Sequence, residues 1–288
     1  MATTPRRLLL ITPSFHTYWA SIRDALQRRG HHVDVIRYDA YDTVLEKTRL
    51  KATVELPARL HLPGDPLGRE RTRTTDRVIE RFQELHPDGV IVIKGDLLDA
   101  RFWDALGQTP RILWLYDDLH RHDYDLPFLR QIGPVISYAR SEADTLRSAG
   151  VNATVIPNAF DPHRVTRSAR RSGEVAFVGA GYPERYAILT RLAEAGLPVH
   201  AYGRDFSRHL FDRARTFSWH RPPITTSRGV PLERAYEVVG AAAAAVNIHG
   251  QQAGHAMRTF EIPGMGGVQL VDRADVAQFY DVGEEVAV

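Results

Sequence analysis

Residues 257–273 read MRTFEIPGMGGVQLVDR and bring a cation, a carboxylate and three glycines close together. A helix starting near Arg258 presents amide N–H groups without intrahelical partners and a partial positive charge, to which Arg258 adds a full one. That combination suits a phosphate or diphosphate. Thr259 belongs to the same first turn. Glu261 lies three residues from Arg258, on the same helical face, so it either accepts hydrogen bonds from sugar hydroxyls or pairs with Arg258. Gly264, Gly266 and Gly267 form a turn into an apolar strand over 268–271, and Gly266 and Gly267 would let backbone approach a ligand closely.

Other chemistry-bearing residues stand at the ends of apolar runs. Gly179-Ala180-Gly181 follows one such run and precedes a helix with Arg185 in its first turn. Glycines there admit a phosphate, although a strand-to-helix turn needs glycine in any case. Tyr202-Gly203-Arg204 ends another run, where Tyr202 offers an aromatic face. Asn247 and His249 end the run before the Arg258 helix, and polar residues at strand ends of α/β folds face the ligand crevice. Asp117 and Asp118 follow the run RILWLY, with His120 and His122 close by. Such a set can serve a metal or a general base, or an aspartate can simply cap a turn. The spacing of His120, His122 and Asp123 suits no standard zinc pattern, and no metal is expected. Ser14 and His16 follow the first run and can face the same crevice. His31 and His32 read as a solvated turn.

The elements that must hold these residues alternate. Strands are expected over 7–12, 32–38, 89–94, 111–116, 135–138 and 153–156, with helices over 19–29, 71–85 and from a Ser141 cap to near Gly150. A second series has strands over 175–178, 199–202, 245–249 and 268–271. Its helices run over 183–195, 232–244, from Arg258, and over 275–280. Short apolar strands alternating with amphipathic helices imply parallel sheets covered on both faces. The fold class is therefore α/β, with two Rossmann-like domains and a ligand cleft between them. Residues 1–160 form the first domain, the polar and basic stretch 161–173 a linker, and 174–288 the second domain. The basic run 164–171 reads as a solvated hinge more simply than as a polyanion site. The stretch 51–70, with Pro57, Pro63 and Pro66, reads as an irregular loop.

Composition narrows the function. A formal net charge of +2 argues against a dedicated nucleic-acid binder. The absence of cysteine excludes disulfides, thiolate metal sites and cysteine nucleophiles. The longest apolar run, 241–246, is too short to span a bilayer. The N-terminus lacks the apolar stretch and cleavage site of a signal peptide, so a cytoplasmic location is expected.

The segments FVGAGYPERYAILTRL, VHAYGR, AAAAAVNIHG and MRTFEIPGMGGVQLVDR, in that order, resemble the CgeB-like (spore-maturation type) glycosyltransferases of GT-B fold. The first half resembles them through LYDD and IPNAFDP. The resemblance implies transfer of a sugar from a nucleotide-diphosphate sugar, a UDP-sugar above all, to an acceptor such as a glycan, a cell-envelope polymer or a small molecule. It implies no cofactor and no metal, because amide dipoles and basic side chains stabilise the leaving diphosphate. The donor would meet Gly179, Gly181, Arg185, Tyr202, Asn247, Arg258, Thr259, Glu261, Gly266 and Gly267. Asp117, Asp118 and His249 would be the catalytic candidates.

Two departures stand out. Many retaining members carry an E-x7-E pair, of which Glu261 matches the second while Ala253 holds the place of the first, leaving that role absent or to His249 or His255. The chain also ends at Val288, so the second domain reads as short. Retention is the expected outcome, with inversion through Asp117 or Asp118 as base the alternative. A GT-B nucleotide-sugar epimerase and a non-catalytic nucleotide-sugar or glycan binder are the competing readings.

Overall fold

The computed structural model describes residues 4–14, 17–41, 43–60, 63–165, 171–210, 212 and 223–288. They form two compact units, Met1–Ile156 and Pro157–Val288, each built on its own parallel sheet. Of the candidates above, His16 lies outside the described residues, as does 166–170 of the basic run.

In the first unit the strands are β1 (Arg7–Thr12), β2 (His32–Arg37), β3 (Gly89–Ile93), β4 (Arg111–Trp114), β5 (Val135–Ser137) and β6 (Ala153–Val155). Their spatial order is β2-β1-β3-β4-β5-β6. β1 lies inside the sheet, with Leu10 opposite Val35 on one side and Ile91 on the other. A strand in that place is covered on both faces, which is why its apolar residues run continuously and do not alternate. Leu9, Ile11, Val92, Leu113, Phe102 and Leu146 are core residues of this unit.

Helices α1 (Tyr18–Arg28), α2 (Val44–Leu50), α3 (Leu56–Arg59), α4 (Pro66–Leu85), α5 (Ala100–Ala105), α6 (Leu126–Gln131) and α7 (Arg140–Ser148) make the crossovers. The expected loop 51–70 is largely helical: a π-helical turn, Lys51–Glu55, joins α2 to α3, and α4 already begins at Pro66. Asp65 caps α4 by accepting from the Gly68 amide at 2.7 Å. Proline is no obstacle in a first turn, where its missing N–H has no intrahelical acceptor to lose. α7 likewise starts one residue before the expected cap Ser141. Its entry is shaped instead by Ser137, whose Oγ accepts from the Ala139 amide at 3.1 Å and donates to Glu142 at 2.6 Å.

In the second unit the strands are β7 (Val175–Val178), β8 (Val199–Tyr202), β9 (Thr225–Ser227), β10 (Ala244–Asn247), β11 (Gln269–Val271) and β12 (Val286–Ala287), in the order β12-β11-β10-β7-β8-β9. Read from the other edge this is third, second, first, fourth, fifth, sixth, the strand order of a Rossmann dinucleotide-binding sheet. Helices α8 (Pro183–Glu194), α9 (Leu232–Ala241) and α10 (Arg258–Gly264) accompany it. α9 stops three residues short of the expected 244, because the Ala243 amide donates to the Glu174 carbonyl at 2.9 Å and opens the β10 ladder. The expected helix 275–280 is a 3-10 turn, Ala274–Gln278. The described ends of the basic run attach to this unit: Arg164 pairs with Glu233 at 3.7 Å, and Arg171 donates to the carbonyls of Gly240 and Gly266 at 3.3 and 3.2 Å.

Candidate functional site

β7 and β10 are neighbours, yet the chain leaves β7 toward β8 and β10 toward β11. At such a switch point the connections diverge and open a crevice beyond the carboxyl ends of the strands. Arg185, in the first turn of α8, spans it. Its Nη1 donates to the Ala180 carbonyl at 3.1 Å, and its Nε and Nη2 donate to the Ile248 carbonyl at 3.2 and 3.0 Å. The guanidinium also stacks over Tyr182, 4.9 Å from the ring centre. It therefore joins the turn after β7 to the end of β10.

The glycine turn after β7 is shaped by its neighbours. The Gly181 amide donates to the Asp205 carboxylate at 2.8 Å. A Cβ on Gly203 would stand 2.1 Å from the Gly179 carbonyl, and one on Gly181 would stand 2.7 Å from the Tyr186 hydroxyl. The turns after β7 and β8 thus lie backbone against backbone. A carboxylate already sits on the Gly181 amide where a phosphate was expected, which corrects that part of the reading.

β10 ends in a buried polar chain. Asn247 donates to Thr259 Oγ1 and to Gln269 Oε1, both at 3.0 Å. His249 Nε2 lies 3.0 Å from the same Thr259 Oγ1, and His249 Nδ1 lies 2.8 Å from Asp272. The His249 side chain is fully buried, as are Thr259 and Gln269. Asp272, just past β11, also accepts from the His249 amide at 2.9 Å and the Gly250 amide at 3.3 Å. Burial alone would raise the Asp272 carboxyl, but the hydrogen bonds from His249 and Gly250 outweigh it and hold it below the ordinary value.

The next residue, Arg273, takes the loop between β10 and α10 from another side. Its Nη1 donates to the carbonyls of Gln252 at 2.8 Å, Ala253 at 3.4 Å and Gly254 at 3.0 Å, while Asp275 holds its Nε at 2.9 Å. The loop amides show the complement. Those of Gln252, Gly254 and His255 have no acceptor among the described residues, although Gly254 and His255 are buried. A buried amide without an acceptor is costly, so these amides call for a ligand or water.

α10 carries the pair that the sequence singled out. Arg258 Nη1 donates to Glu261 Oε2 at 2.5 Å, and the Tyr236 hydroxyl of α9 donates to Glu261 Oε1 at 2.9 Å. Glu261 is fully buried while Arg258 keeps 22% of its side chain exposed. The carboxylate therefore orients the guanidinium and ties α9 to α10. Burial, and next the Glu261 charge, push the Tyr236 hydroxyl well above its ordinary range.

Two expectations are corrected within this unit. Gly266 and Gly267 follow the last turn of α10, at the amino end of β11, whereas Arg258 opens α10 beside the carboxyl end of β10. Seven helical residues put roughly 10 Å between them. Their role is packing: a Cβ on Gly267 would stand 2.5 Å from the Val239 carbonyl, and Gly264 lies equally tightly against the Phe160 ring. Tyr202 does not reach over the carboxyl edge either. Its side chain runs back along β8, stacked 4.0 Å from the His200 ring, and its hydroxyl donates to Glu174 at 3.0 Å.

In the first unit Asp118 is buried and accepts from the Tyr138 hydroxyl at 2.5 Å. Asp117 accepts from the Asp118 amide at 3.0 Å and pairs with Arg121 at 3.3 Å. His120 is exposed and His122 buried. Burial, reinforced by the nearby Lys94 charge and opposed by Asp117 and Asp96, lowers the His122 pKa. Neither His122 ring nitrogen has a partner of hydrogen-bonding geometry among the described residues. Lys94 and Tyr116, just past β3 and β4, adopt left-handed φ of 64° and 66°. Ser14 donates its amide to Asp39 at 2.6 Å. Among the described residues, no group of three or more His, Asp or Glu side chains is placed to hold a metal ion, and no helix is long and apolar enough to cross a membrane.

The structure thus gathers Arg185, Asn247, His249, Arg258, Thr259 and Glu261 at one edge of the second sheet. It adds Asp272, Arg273 and Tyr236, which sequence reasoning left without a role. Asp272 and Arg273 were visible as polar residues directly after a strand, the signal that had picked out Asn247 and His249.

Residues 170–288 match the family model described as glycosyl transferase-like. Solved structures of similar fold include HepE from Anabaena in complex with UDP and glucose, at 14% identity over 96% of this chain and 84% of that one, TM-score 0.56. MnaA of S. aureus with UDP is similar at 13% identity over 93% and 80%, TM-score 0.56. A trehalose-6-phosphate synthase studied for glycosyl transfer with retention is similar at 12% over 94% and 85%, TM-score 0.59. No curated protein matches the sequence at a significant level. The shared fold is GT-B, with two Rossmann-like units, and the stretch matched by the glycosyl transferase-like model lies within the second unit.

Proposed function

We propose that the chain is a glycosyltransferase of the CgeB-like type, moving a sugar from a UDP-sugar to an acceptor hydroxyl, with retention and without a metal. One observation carries the donor side. Within the stretch matched by the glycosyl transferase-like model, the loop before Arg258 has its carbonyls drawn to Arg273 and buried amides without acceptors. Amides and a guanidinium held in advance are suited to the charge that builds on a departing nucleoside diphosphate. In this reading Arg258 meets the diphosphate, and Asn247, Thr259 and Glu261 keep it in place. Arg185 supports the crevice from the side of β7. Asp117, at the rim of the first sheet, is the acceptor-side group, and the adjoining Asp118 accepts from the Tyr138 hydroxyl. UDP, named in two of the similar structures, supports the choice of nucleotide.

The test is calorimetric titration of the full chain with UDP, alone and as UDP-sugars. Arg258→Ala should weaken UDP by about tenfold or more, the loss of a charge-assisted contact of ~1.5–3 kcal/mol. Unchanged affinity would sink the assignment. A second reading is nucleotide-sugar epimerisation, because a UDP-N-acetylglucosamine 2-epimerase shares the fold at 12% identity and TM-score 0.56. Conversion of a UDP-sugar without any acceptor would favour it over transfer.

A further inference from the structure

Asp272 and Arg273 are consecutive, and between them they hold the start and the middle of the connection from β10 to α10. The carboxylate takes the amides at the start of the loop, from His249 and Gly250, together with the His249 ring. The guanidinium takes three consecutive carbonyls in its middle, Gln252, Ala253 and Gly254. In a trans peptide the C=O and the following N–H point in opposite directions. Drawing the carbonyls of 252–254 onto one cation therefore turns the amides of 253–255 away from it. Three peptide dipoles then have their negative ends on Arg273 and their positive ends turned away from it, an orientation in which outward amides suit an anion. Gly254 and His255 contribute amides that have no acceptor among the described residues.

The carboxylate acts further along the chain. Because Asp272 is ionised, His249 Nδ1 donates to it. In the neutral ring Nε2 then accepts the Thr259 hydroxyl hydrogen, and Thr259 Oγ1 in turn accepts from Asn247. Thr259 is the neighbour of Arg258, so the position of the α10 first turn is set from Asp272 through His249.

We propose that Asp272 and Arg273 are positioning residues which hold this loop and the start of α10 in the form that binds the phosphates of a nucleoside diphosphate, and that His249 serves them as a link and not as a proton-transfer catalyst. This rests on the donor-site reading above. A lysine at 273 would keep the charge but lose the planar fork that spans several carbonyls.

The experiment compares UDP, uridine and inorganic pyrophosphate by calorimetry on the wild type, Arg273→Lys, Asp272→Asn, Thr259→Val and Arg258→Ala, each checked for a native thermal transition. Partners that orient metal ligands change metal affinity by about 10–100-fold, and residues that orient a phosphate-binding loop are expected to act on a similar scale. Arg273→Lys and Thr259→Val should therefore weaken UDP and pyrophosphate by about tenfold and leave uridine within about twofold. Equal loss for UDP and uridine would mean a merely loosened unit and would overturn the inference, as would no loss for either. If the wild type binds neither UDP nor pyrophosphate, the inference fails as well. If Arg273→Lys weakens UDP but Arg258→Ala does not, the clamp stands and the assignment of Arg258 falls.

Discussion

At the scale of single residues, what matters is how a group is engaged. Arg258 and Glu261 were legible as a pair from their spacing, but which partner Glu261 takes depends on Tyr236, which is distant in sequence and brought in only by the packing of α9 on α10. Tyr202 misled for the same reason. Its aromatic type was clear, yet the partner that turns it back along β8 is Glu174, a residue that ordinary helix and strand patterns do not mark. His122 makes a testable case. Burial first, and the Lys94 charge second, lower its pKa. A histidine whose folded pKa lies below its unfolded value stabilises fully only above the unfolded value and loses that contribution as pH falls toward the folded one. Thermal denaturation of the wild type should therefore show a midpoint that drops from pH 7.5 to 5.5. His122→Phe, which keeps a ring against Tyr124, should show a smaller drop. An equal drop in both would mean that His122 does not titrate across folding.

At the scale of elements, periodicity located most strands, because a strand buried on both faces writes itself as a continuous apolar run. It failed where prolines stand. Residues 51–70 hold three of them and were read as a loop, although Asp65-Pro66 is a cap followed by a first-turn proline and so announces α4. Glycines were the other trap. Gly266 and Gly267 looked like ligand-facing residues, whereas Gly267 lets the end of α10 approach α9. Gly267→Ala would force a Cβ against the Val239 carbonyl at 2.5 Å. Overpacking of this kind costs about 1–3 kcal/mol. Denaturant titration should show that loss, with UDP affinity per folded molecule unchanged. Weakened binding without lost stability would return Gly267 to the ligand site.

At the scale of the whole molecule, alternation of strand and helix was enough to read two α/β units, and the observed division falls at Ile156 and Pro157. The strand order inside each sheet was beyond the sequence, because β7 shows no mark of pairing with β10 in preference to β9. That pairing has a consequence for synthesis. β7 leaves the ribosome early, finds β8 and β9 on one side, and must wait for β10 on the other. At roughly 5–20 residues per second the wait lasts several seconds. During it an inner strand behaves as an open edge, the feature that recruits foreign strands. Chains stalled just before β10 emerges should therefore protect the first unit from protease while the second is cut and prone to aggregate, and stalling beyond β11 should restore protection. Early protection of both units alike would refute this order. The strand that lends the site its switch point is thus also one that stands as an open edge while the chain is being made.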